Sequence, residues 1–283
     1  MKQILAWPYY LSTTWFRWQV NRRAAMTGAG AIILPVFHRV SDDQANEWTT
    51  PTRVFIKTIR WLKRHFDLIS IEEAQRRIRA NVNHRDSVCI TFDDGYEDNC
   101  DVAIPLMIEE EVPCTYFVTT DPVLQQHGFA HDIAMGNNLR PNTVAQLREM
   151  ASAGIEIGAH TRTHADIGSI RSPQVLNDEI VTARNDLEDA IGTGIRYFAF
   201  PFGDYDNLSE SAFQLARDAN FEAVFSNYGG YNFPGQDAFH FQRRGVDGAF
   251  LRIKNWINRD PLRNRNIRRI DVPPQTIPSA TPI

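Results

Sequence analysis

Short apolar runs alternate with longer amphipathic segments along most of the chain. Runs of about four to eight residues that are rich in β-branched and aromatic side chains are typical of buried strands and are too short for helices. Such runs predict strands over 31–37, 87–92, 114–118, 155–159, 196–200 and 221–226.

Between these runs, apolar side chains recur at the spacing of a helix that packs on one face. Phe55, Ile59 and Leu62 show this spacing, and Ser70 with Glu73 matches a capping box at the start of a helix. Similar signals predict helices over 99–111, 142–153, 172–191 and 208–219. The alternation predicts an α/β fold in which about seven parallel strands form a (β/α) barrel, with an open doubly wound sheet as the alternative.

Composition excludes several classes of protein. Hydrophobic residues make up 43% and charged residues 23%, as in ordinary globular domains. The net charge of −4 gives no reason to expect a nucleic acid partner. No apolar run reaches about 18 residues, so we predict no membrane-spanning helix. The three cysteines are few and odd in number, which is typical of reduced thiols, and we expect a cytoplasmic protein.

The first residues of the chain are unusually aromatic. Trp7, Trp15 and Trp18 are three of the six tryptophans, and Arg22 and Arg23 follow them. A secretory signal has its basic residues first and then an unbroken apolar core, so we predict no signal peptide. Two interpretations remain: a helix bound peripherally in a membrane interface through residues 1–23, or an extra helix packed on the domain, which is the commoner arrangement.

The last residues are also atypical. Five arginines lie between residues 259 and 269, and four prolines follow from residue 273 onward. We expect this tail to be poorly ordered. The chain is therefore divided into an N-terminal segment over 1–28, a central domain over 29–258 and a tail over 259–283.

Side chains suited to catalysis follow several of the predicted strands. His38 follows the first run, Asp93 and Asp94 follow the second, and His160 and His164 follow the fourth. In a (β/α) barrel, the carboxyl ends of the strands meet at one rim, where catalytic residues collect. The glycine after Asp94 permits a sharp turn, so one carboxylate can bind a cation while the other faces a water molecule.

One aspartate and two histidines are a suitable set of metal ligands. His160 and His164 are one turn apart on the same face if the chain becomes helical after the strand. Three protein ligands leave a coordination position open for water, whose pKa a metal lowers toward about 7. This arrangement predicts hydrolysis of an amide or ester. An iron oxygenase site is disfavoured, because Arg162 stands where its carboxylate is expected.

Three segments carry a resemblance to a known family. Residues 91–96 (TFDDGY), 160–164 (HTRTH) and 198–203 (FAFPFG) resemble the first three motifs of the polysaccharide deacetylases, the NodB-like carbohydrate esterases. The resemblance implies a deformed (β/α) barrel and a divalent metal, usually zinc, with cobalt, nickel, manganese or iron as alternatives. It also implies removal of N-acetyl groups from the amino sugars of a glycan or a lipid-linked sugar.

The resemblance also implies roles for single residues. Asp93 would be the general base, and the metal ligands would be Asp94, His160 and His164. The third motif usually has an arginine that orients the base, and Ala199 stands at that position. The family's C-terminal histidine motif, which supplies the general acid, is absent.

A subgroup of the family lacks the same two features, namely the biofilm and capsule exopolysaccharide deacetylases. In that subgroup the first strand ends in Tyr-His-Arg-Val, and residues 37–40 (FHRV) occupy this place. The resemblance therefore implies that His38 is the general acid. Arg243 or Arg244, with Asp247, is expected to replace the missing arginine as partner of Asp93.

The remaining candidates concern the substrate. The resemblance implies that the backbone N–H of Phe202, after Pro201, stabilises the oxyanion, and Tyr96 is a candidate for stacking on a sugar ring. Two alternatives stay open. The first is a different hydrolase on the same site, such as an O-acetyl esterase or a cyclic amide hydrolase. The second is a glycan-binding protein with a weakened site.

Overall fold

The computed structural model describes residues 6–246, 248–259 and 270. Within these residues the strands are β1 (Ile32–Ile33), β2 (Pro35–Phe37), β3 (Arg39–Val40), β4 (Thr49–Thr50), β5 (Asp67–Leu68), β6 (Ser87–Val88), β7 (Ile90–Phe92), β8 (Cys114–Val118), β9 (Glu156–Ala159), β10 (Tyr197–Ala199), β11 (Ala223–Ser226), β12 (His240–Gln242) and β13 (Arg244–Gly245).

The α-helices are α1 (Ala6–Thr27), α2 (Thr52–His65), α3 (Ile71–Arg79), α4 (Ala103–Glu109), α5 (Thr120–Gln125), α6 (Ala130–Ala134), α7 (Val144–Ser152), α8 (Pro173–Asn177), α9 (Ala183–Ile191), α10 (Glu210–Asp218) and α11 (Phe250–Ile257). Short 3₁₀ turns cover Glu97–Cys100, Ile167–Ser169 and Tyr205–Asn207. A π-helical turn over Asp178–Thr182 joins α8 to α9.

Eight strands form one parallel sheet in the order β12-β11-β10-β9-β8-β7-β2-β13. The two edge strands, β12 and β13, are consecutive in the chain and are separated only by Arg243. This segment pairs with β11 through its first half and with β2 through its second half, which closes the sheet into a barrel. Counted once, the segment makes seven strands, so the predicted (β/α) barrel is confirmed and the open sheet is not formed.

In β8, β10 and β11, alternate residues enter two different apolar cores, as the period of two along a strand requires. In β11, Val224 packs in the larger core together with residues of the helices, whereas Phe225 packs in the smaller one with Phe117 of β8. Residues of α3 belong to the smaller core, and Gln75 of this helix donates to the carbonyl of Glu222, just before β11. Thus α3 covers the amino-terminal end of the barrel.

The predicted helices form within narrower bounds. Ser70 caps α3 by accepting a hydrogen bond from the Glu73 N–H at 3.2 Å. The carboxylate of Glu73 binds Arg76 and Arg77 instead of the cap, so only half of the predicted capping box is present. The helix predicted over 172–191 is divided into α8, the π-helical turn and α9.

The N-terminal helix α1 packs on the domain through one face. Arg17 is buried, and its guanidinium donates to the carbonyl oxygens of Asn255, in the last turn of α11, and of Asn258, just after it. Ala24 is also buried. No helix in the described part of the chain is both long and apolar enough to cross a membrane.

Several sequence predictions fall outside the described residues. These are residues 1–5 of the N-terminal segment, the side chain of Trp7, Asp247, and residues 260–269 and 271–283 of the tail. Ile270 is described and packs against the larger core. The division of the chain into 1–28, 29–258 and 259–283 therefore remains a proposal.

The close packing of β9 against β8 can be tested at Gly158. A Cβ atom at this position would overlap the ring of Phe117, so we expect Gly158→Ala to lower the free energy of unfolding by about 1–3 kcal/mol. Gly194 is the matched control, since the nearest atom to its added Cβ is 3.9 Å away. Urea unfolding of both variants gives the comparison. Equal midpoints for the two variants would contradict this packing.

Candidate active site

The two adjacent aspartates lie in a tight turn directly after β7. Asp93 is still tied to the sheet, because its N–H donates to the carbonyl of Phe37 at 2.9 Å. The backbone then reverses at Asp94 and Gly95, whose φ angles are +73° and +99°. The turn thus begins at Asp94 itself, and both carboxylates are buried at the same rim.

Asp94, His160 and His164 come together at this rim. Their ligand atoms all lie within 4.8 Å of one another. Oδ1 of Asp94 is 3.5 Å from Nε2 of His160 and 3.2 Å from Nε2 of His164. Ligands bound to one zinc ion at about 2.0–2.1 Å in tetrahedral geometry stand about 3.3 Å apart, so this spacing fits a shared divalent ion.

The surroundings of these atoms also fit a metal. Oδ1 of Asp94 is buried, and no described residue forms a hydrogen bond with it. Nδ1 of His160 lies 2.8 Å from the carbonyl oxygen of Ala199, an acceptor that places the ring proton on Nδ1. Nε2 of His160 therefore presents its lone pair toward Asp94, as a metal-bound histidine requires.

The loop between the two histidines is not helical, so the condition under which they would lie one helical turn apart is not met. Thr161 and His164 have φ angles of +63° and +62°. The carboxylate of Glu179 holds the loop instead, accepting from the N–H groups of Arg162 and Thr163 at 3.0 Å each. Hydrogen bonds to a buried carboxylate outweigh the helical preference of so short a segment.

Glu179 is a supporting residue that sequence reasoning missed. It is buried, it lies in the π-helical turn, and it also accepts from Oγ1 of Thr163 at 2.7 Å. Its sequence signal is weak: a carboxylate next to Ile180, within the apolar face of a predicted helix. Turns of π-helix are frequent at functional sites, where they redirect a side chain.

Asp93 is paired with Arg243, which lies in the segment that closes the barrel. Nη1 and Nη2 of Arg243 donate to the two carboxylate oxygens of Asp93 at 2.7 and 2.8 Å. Burial raises the pKa of Asp93, but Arg243 and the nearby His160 outweigh it and hold the pKa below its usual value. Asp93 is therefore ionised and fixed in orientation, with its Oδ2 3.9 Å from Nε2 of His160.

Arg244, the other predicted candidate, does not face the site. Its side chain is exposed and its guanidinium lies 5.5 Å from the ring of Trp256. The guanidinium of Arg243, in contrast, is fully buried and lies 4.9 Å from the ring centre of Phe117. The structure thus distinguishes the two arginines, while Asp247 lies outside the described residues.

His38 and Phe202 both lie at the same rim. His38 follows β2, and it is close enough to both aspartates to contribute to lowering their pKa values. The ring of Phe202 is 54% exposed and 5.0 Å from the ring of His164. Phe202 has a φ of +59°, and no described residue accepts a hydrogen bond from its backbone N–H.

Pro201 and Tyr96 are buried, unlike Phe202. The hydroxyl of Tyr96 lies 2.9 Å from Nε2 of His131 and donates to Oδ2 of Asp132 at 2.6 Å. Tyr96 therefore contacts other side chains, and the expectation that its ring stacks on a sugar is not supported by this packing. His131 reaches the site in its place, with its ring 4.9 Å from that of His164.

A family model described as polysaccharide deacetylase matches residues 80–224, just over half of the chain. The chain belongs to the polysaccharide deacetylase family. The resemblance predicted from the three motifs is therefore confirmed.

Solved structures with a similar fold include IcaB and PplD. IcaB from Ammonifex degensii has a TM-score of 0.67 at 20% identity, over 81% of this chain and 98% of IcaB. The Streptococcus pyogenes deacetylase PplD, solved in complex with acetate, has a TM-score of 0.64 at 21% identity, over 77% of this chain and 93% of PplD. At these identities the similarity establishes the fold.

A relative with a similar sequence is YxkH of Bacillus subtilis, which bears the name of a polysaccharide deacetylase. The two sequences are 23% identical over 175 residues, covering 61% of this chain and 58% of YxkH. The chain thus spans little more than half of the length of this relative.

The ion pair beneath the site can be tested by removing its cation. We expect Arg243→Met to lower the free energy of unfolding by roughly 3–5 kcal/mol, because Asp93 would remain buried without its partner. Arg252→Met is the control, since Arg252 is an exposed residue of α11 and its replacement should change stability by less than about 0.5 kcal/mol.

A double-mutant cycle with Asp93→Asn isolates the pair. If chemical denaturation shows that Arg243→Met is as destabilising in the Asp93→Asn background as in the wild-type background, the two side chains do not interact as described. Recovery of much of the lost stability in the double variant is the expected result.

Proposed function

We propose that this protein is a metal-dependent hydrolase that removes N-acetyl groups from the amino sugars of an exopolysaccharide or of a lipid-linked glycan precursor. The observation that carries the proposal is the convergence of Asp94, His160 and His164 on one point, with the ionised Asp93 beside them. Membership of the polysaccharide deacetylase family supports the same conclusion.

Asp94, His160 and His164 are proposed to hold the metal. A divalent ion held by these three residues with one open position would lower the pKa of a bound water toward about 7 and would polarise the acetyl carbonyl. Zinc is the expected ion, because two imidazoles and a carboxylate are typical ligands of catalytic zinc, and cobalt, nickel, manganese and iron are the alternatives.

Asp93 is proposed to be the general base. Its Oδ2 atom is oriented toward His160 by the bidentate contact with Arg243, so its position does not depend on the substrate. It would accept the proton of the attacking water. Arg243 lies between β12 and β13 and contacts both carboxylate oxygens of Asp93. It is therefore proposed to replace the arginine that the third motif lacks.

His38 is proposed to be the general acid that protonates the leaving amine. Its backbone carbonyl accepts from Nδ2 of Asn99 at 2.8 Å, which fixes the end of β2. The backbone N–H of Phe202, after Pro201, is proposed to stabilise the oxyanion, since donors aimed at developing charge contribute strongly to catalysis. The exposed ring of Phe202 is proposed to contact the sugar.

A glycan-binding protein and a different hydrolase are the alternatives to an N-deacetylase. Ala199 in place of arginine is the reason to consider a glycan-binding protein with a weakened site, and the contact between Arg243 and Asp93 weakens that reason. An O-acetyl esterase or a cyclic amide hydrolase would use the same residues. Acetate release from N-acetylated and O-acetylated oligosaccharides, with and without a chelator, distinguishes these possibilities.

The roles of the four central residues predict different behaviour of their variants. We expect Asp94→Ala, His160→Ala and His164→Ala each to lose bound metal and activity together, because each removes a ligand. Asp93→Asn should keep the metal and lose at least about a hundredfold in kcat. Metal content by mass spectrometry and acetate release are the two measurements.

His38 and Phe202 supply the comparison within this series. His38→Ala should retain the metal and lower kcat by about a hundredfold or more. Phe202→Ala keeps its backbone N–H, so its main effect should be on KM. Acetate release by Asp93→Asn at the wild-type rate would show that another group is the base.

We further propose that α1 lies on an anionic membrane surface. Leu11, Trp15, Trp18 and Met26 follow one another along one side of the helix and are each between 55% and 70% exposed, whereas Arg17 and Ala24 face the domain. The helix has no acidic residue, and the guanidinium of Arg22 lies 5.4 Å from the ring of Trp18. Tryptophan and arginine together are typical of interfacial helices.

Vesicle binding tests this surface. We expect the full chain to co-sediment with phosphatidylcholine vesicles that contain phosphatidylglycerol, more weakly as salt is raised. The double variant Trp15→Ser, Trp18→Ser should bind at least about tenfold more weakly, because it removes two large apolar side chains. Val175→Ser, at an exposed residue of α8, is the control.

Other occupants of this surface would give different results. A dimer of the wild-type chain that dissociates in the double variant, without vesicle binding by either, would contradict the membrane proposal and indicate self-association. Equal binding by the wild type and the double variant would also contradict it.

A further inference from the structure

His131 belongs to a group of hydrogen-bonded side chains that lies beside the four proposed catalytic and metal-binding residues. It lies in α6, and its ring is stacked on Phe129 at 5.8 Å and against His164 at 4.9 Å. Its side chain is 23% exposed, whereas Tyr96 and Asp132 are fully buried. His131 is therefore the member of this group that solvent or a substrate can reach.

The hydrogen bonds determine which nitrogen of His131 carries the proton. A carboxylate only accepts, so the single proton of the Tyr96 hydroxyl is donated to Oδ2 of Asp132 at 2.6 Å. The same hydroxyl oxygen must then accept from Nε2 of His131, 2.9 Å away. With its proton on Nε2, the ring has an acceptor lone pair on Nδ1.

The buried part of the group is fixed by further contacts. Oδ1 of Asp132 accepts from Nδ2 of Asn46 at 3.0 Å, so both oxygens of this carboxylate are engaged. The ring of Tyr96 packs on that of Phe129, with centroids 4.4 Å apart. Such a network holds the ring of His131 in one orientation and one tautomer before any substrate binds.

We propose that Nδ1 of His131 accepts a hydrogen bond from the N–H of the substrate's acetamido group, and so makes the enzyme selective for amides over esters. This inference rests on the function proposed above. His131 packs against the proposed metal ligand His164, and the acetamido group of the substrate must bind next to that metal. The N–H of the acetamido group is a hydrogen-bond donor that Nδ1 can accept. An acetyl ester has an oxygen without a proton at that position, which would face the lone pair of Nδ1.

The test compares amide and ester substrates of the full chain loaded with a divalent metal. One substrate is an N-acetylglucosamine oligomer, and the other is an O-acetylated oligosaccharide. We expect His131→Phe, which keeps an aromatic ring between Phe129 and His164, to lower kcat/KM for the amide by roughly ten- to hundredfold. For the ester the change should be less than about threefold, with metal content unchanged.

Two further variants separate positioning from general damage. Tyr96→Phe removes the acceptor of the Nε2 proton, so we expect a smaller loss with the same bias against the amide and no additional loss when it is combined with His131→Phe. His127→Phe is the matched control, because His127 is an exposed residue of the same segment. It should leave both activities unchanged.

The outcomes distinguish this inference from the proposed function. Equal losses on amide and ester, or no loss on either, would overturn the role of His131 while leaving the deacetylase proposal intact. Wild-type protein that releases acetate from the ester but not from the amide would overturn the proposed function itself. Selective loss of amide hydrolysis in His131→Phe supports both.

Discussion

The structure of the site depends on how two adjacent buried carboxylates remain ionised. A charge removed from water must be compensated by hydrogen bonds, by an opposite charge or by a metal. Asp93 obtains this from Arg243, 150 residues away in the chain. Asp94 faces the ring nitrogens of two imidazoles, and the proposed divalent metal bound between them would compensate its charge. The segment that closes the barrel also carries Arg243. Closure of the barrel therefore brings the guanidinium of Arg243 into contact with the carboxylate of Asp93.

Four residues at the rim that carries these groups have strained backbone conformations. Asp94, Thr161, His164 and Phe202 all have positive φ angles, between +59° and +73°, although none of them is glycine. Such conformations cost about 1–3 kcal/mol each and persist only where the surroundings impose them. Here the strand ends and the carboxylate of Glu179 impose them, which aims side chains from separate loops at one point.

A barrel allows a functional group to be supplied from different strands. Its rim is circular, so the arginine that contacts Asp93 need not follow β10, where Ala199 stands. Ala199 contributes its backbone carbonyl to His160 instead, and Arg243 comes from the segment that joins the two edge strands β12 and β13. Gly158 leaves room for the ring of Phe117, which lies beneath the guanidinium of Arg243.

Local pattern was sufficient for much of this protein. The apolar runs located six strand segments, and because parallel strands end at a common rim, the residues after them included Asp93, Asp94, His160 and His164. The seventh segment, over 240–245, was not predicted, since its residues HFQRRG form no apolar run.

Only the tertiary structure decided which of two adjacent arginines faces the base, which residue holds the histidine loop, and that Tyr96 is buried behind His131. Each of these outcomes depends on packing between elements far apart in the chain. The spacing of apolar residues along a segment indicates which of its faces is buried. It does not indicate which side chain, from a distant part of the chain, packs against that face.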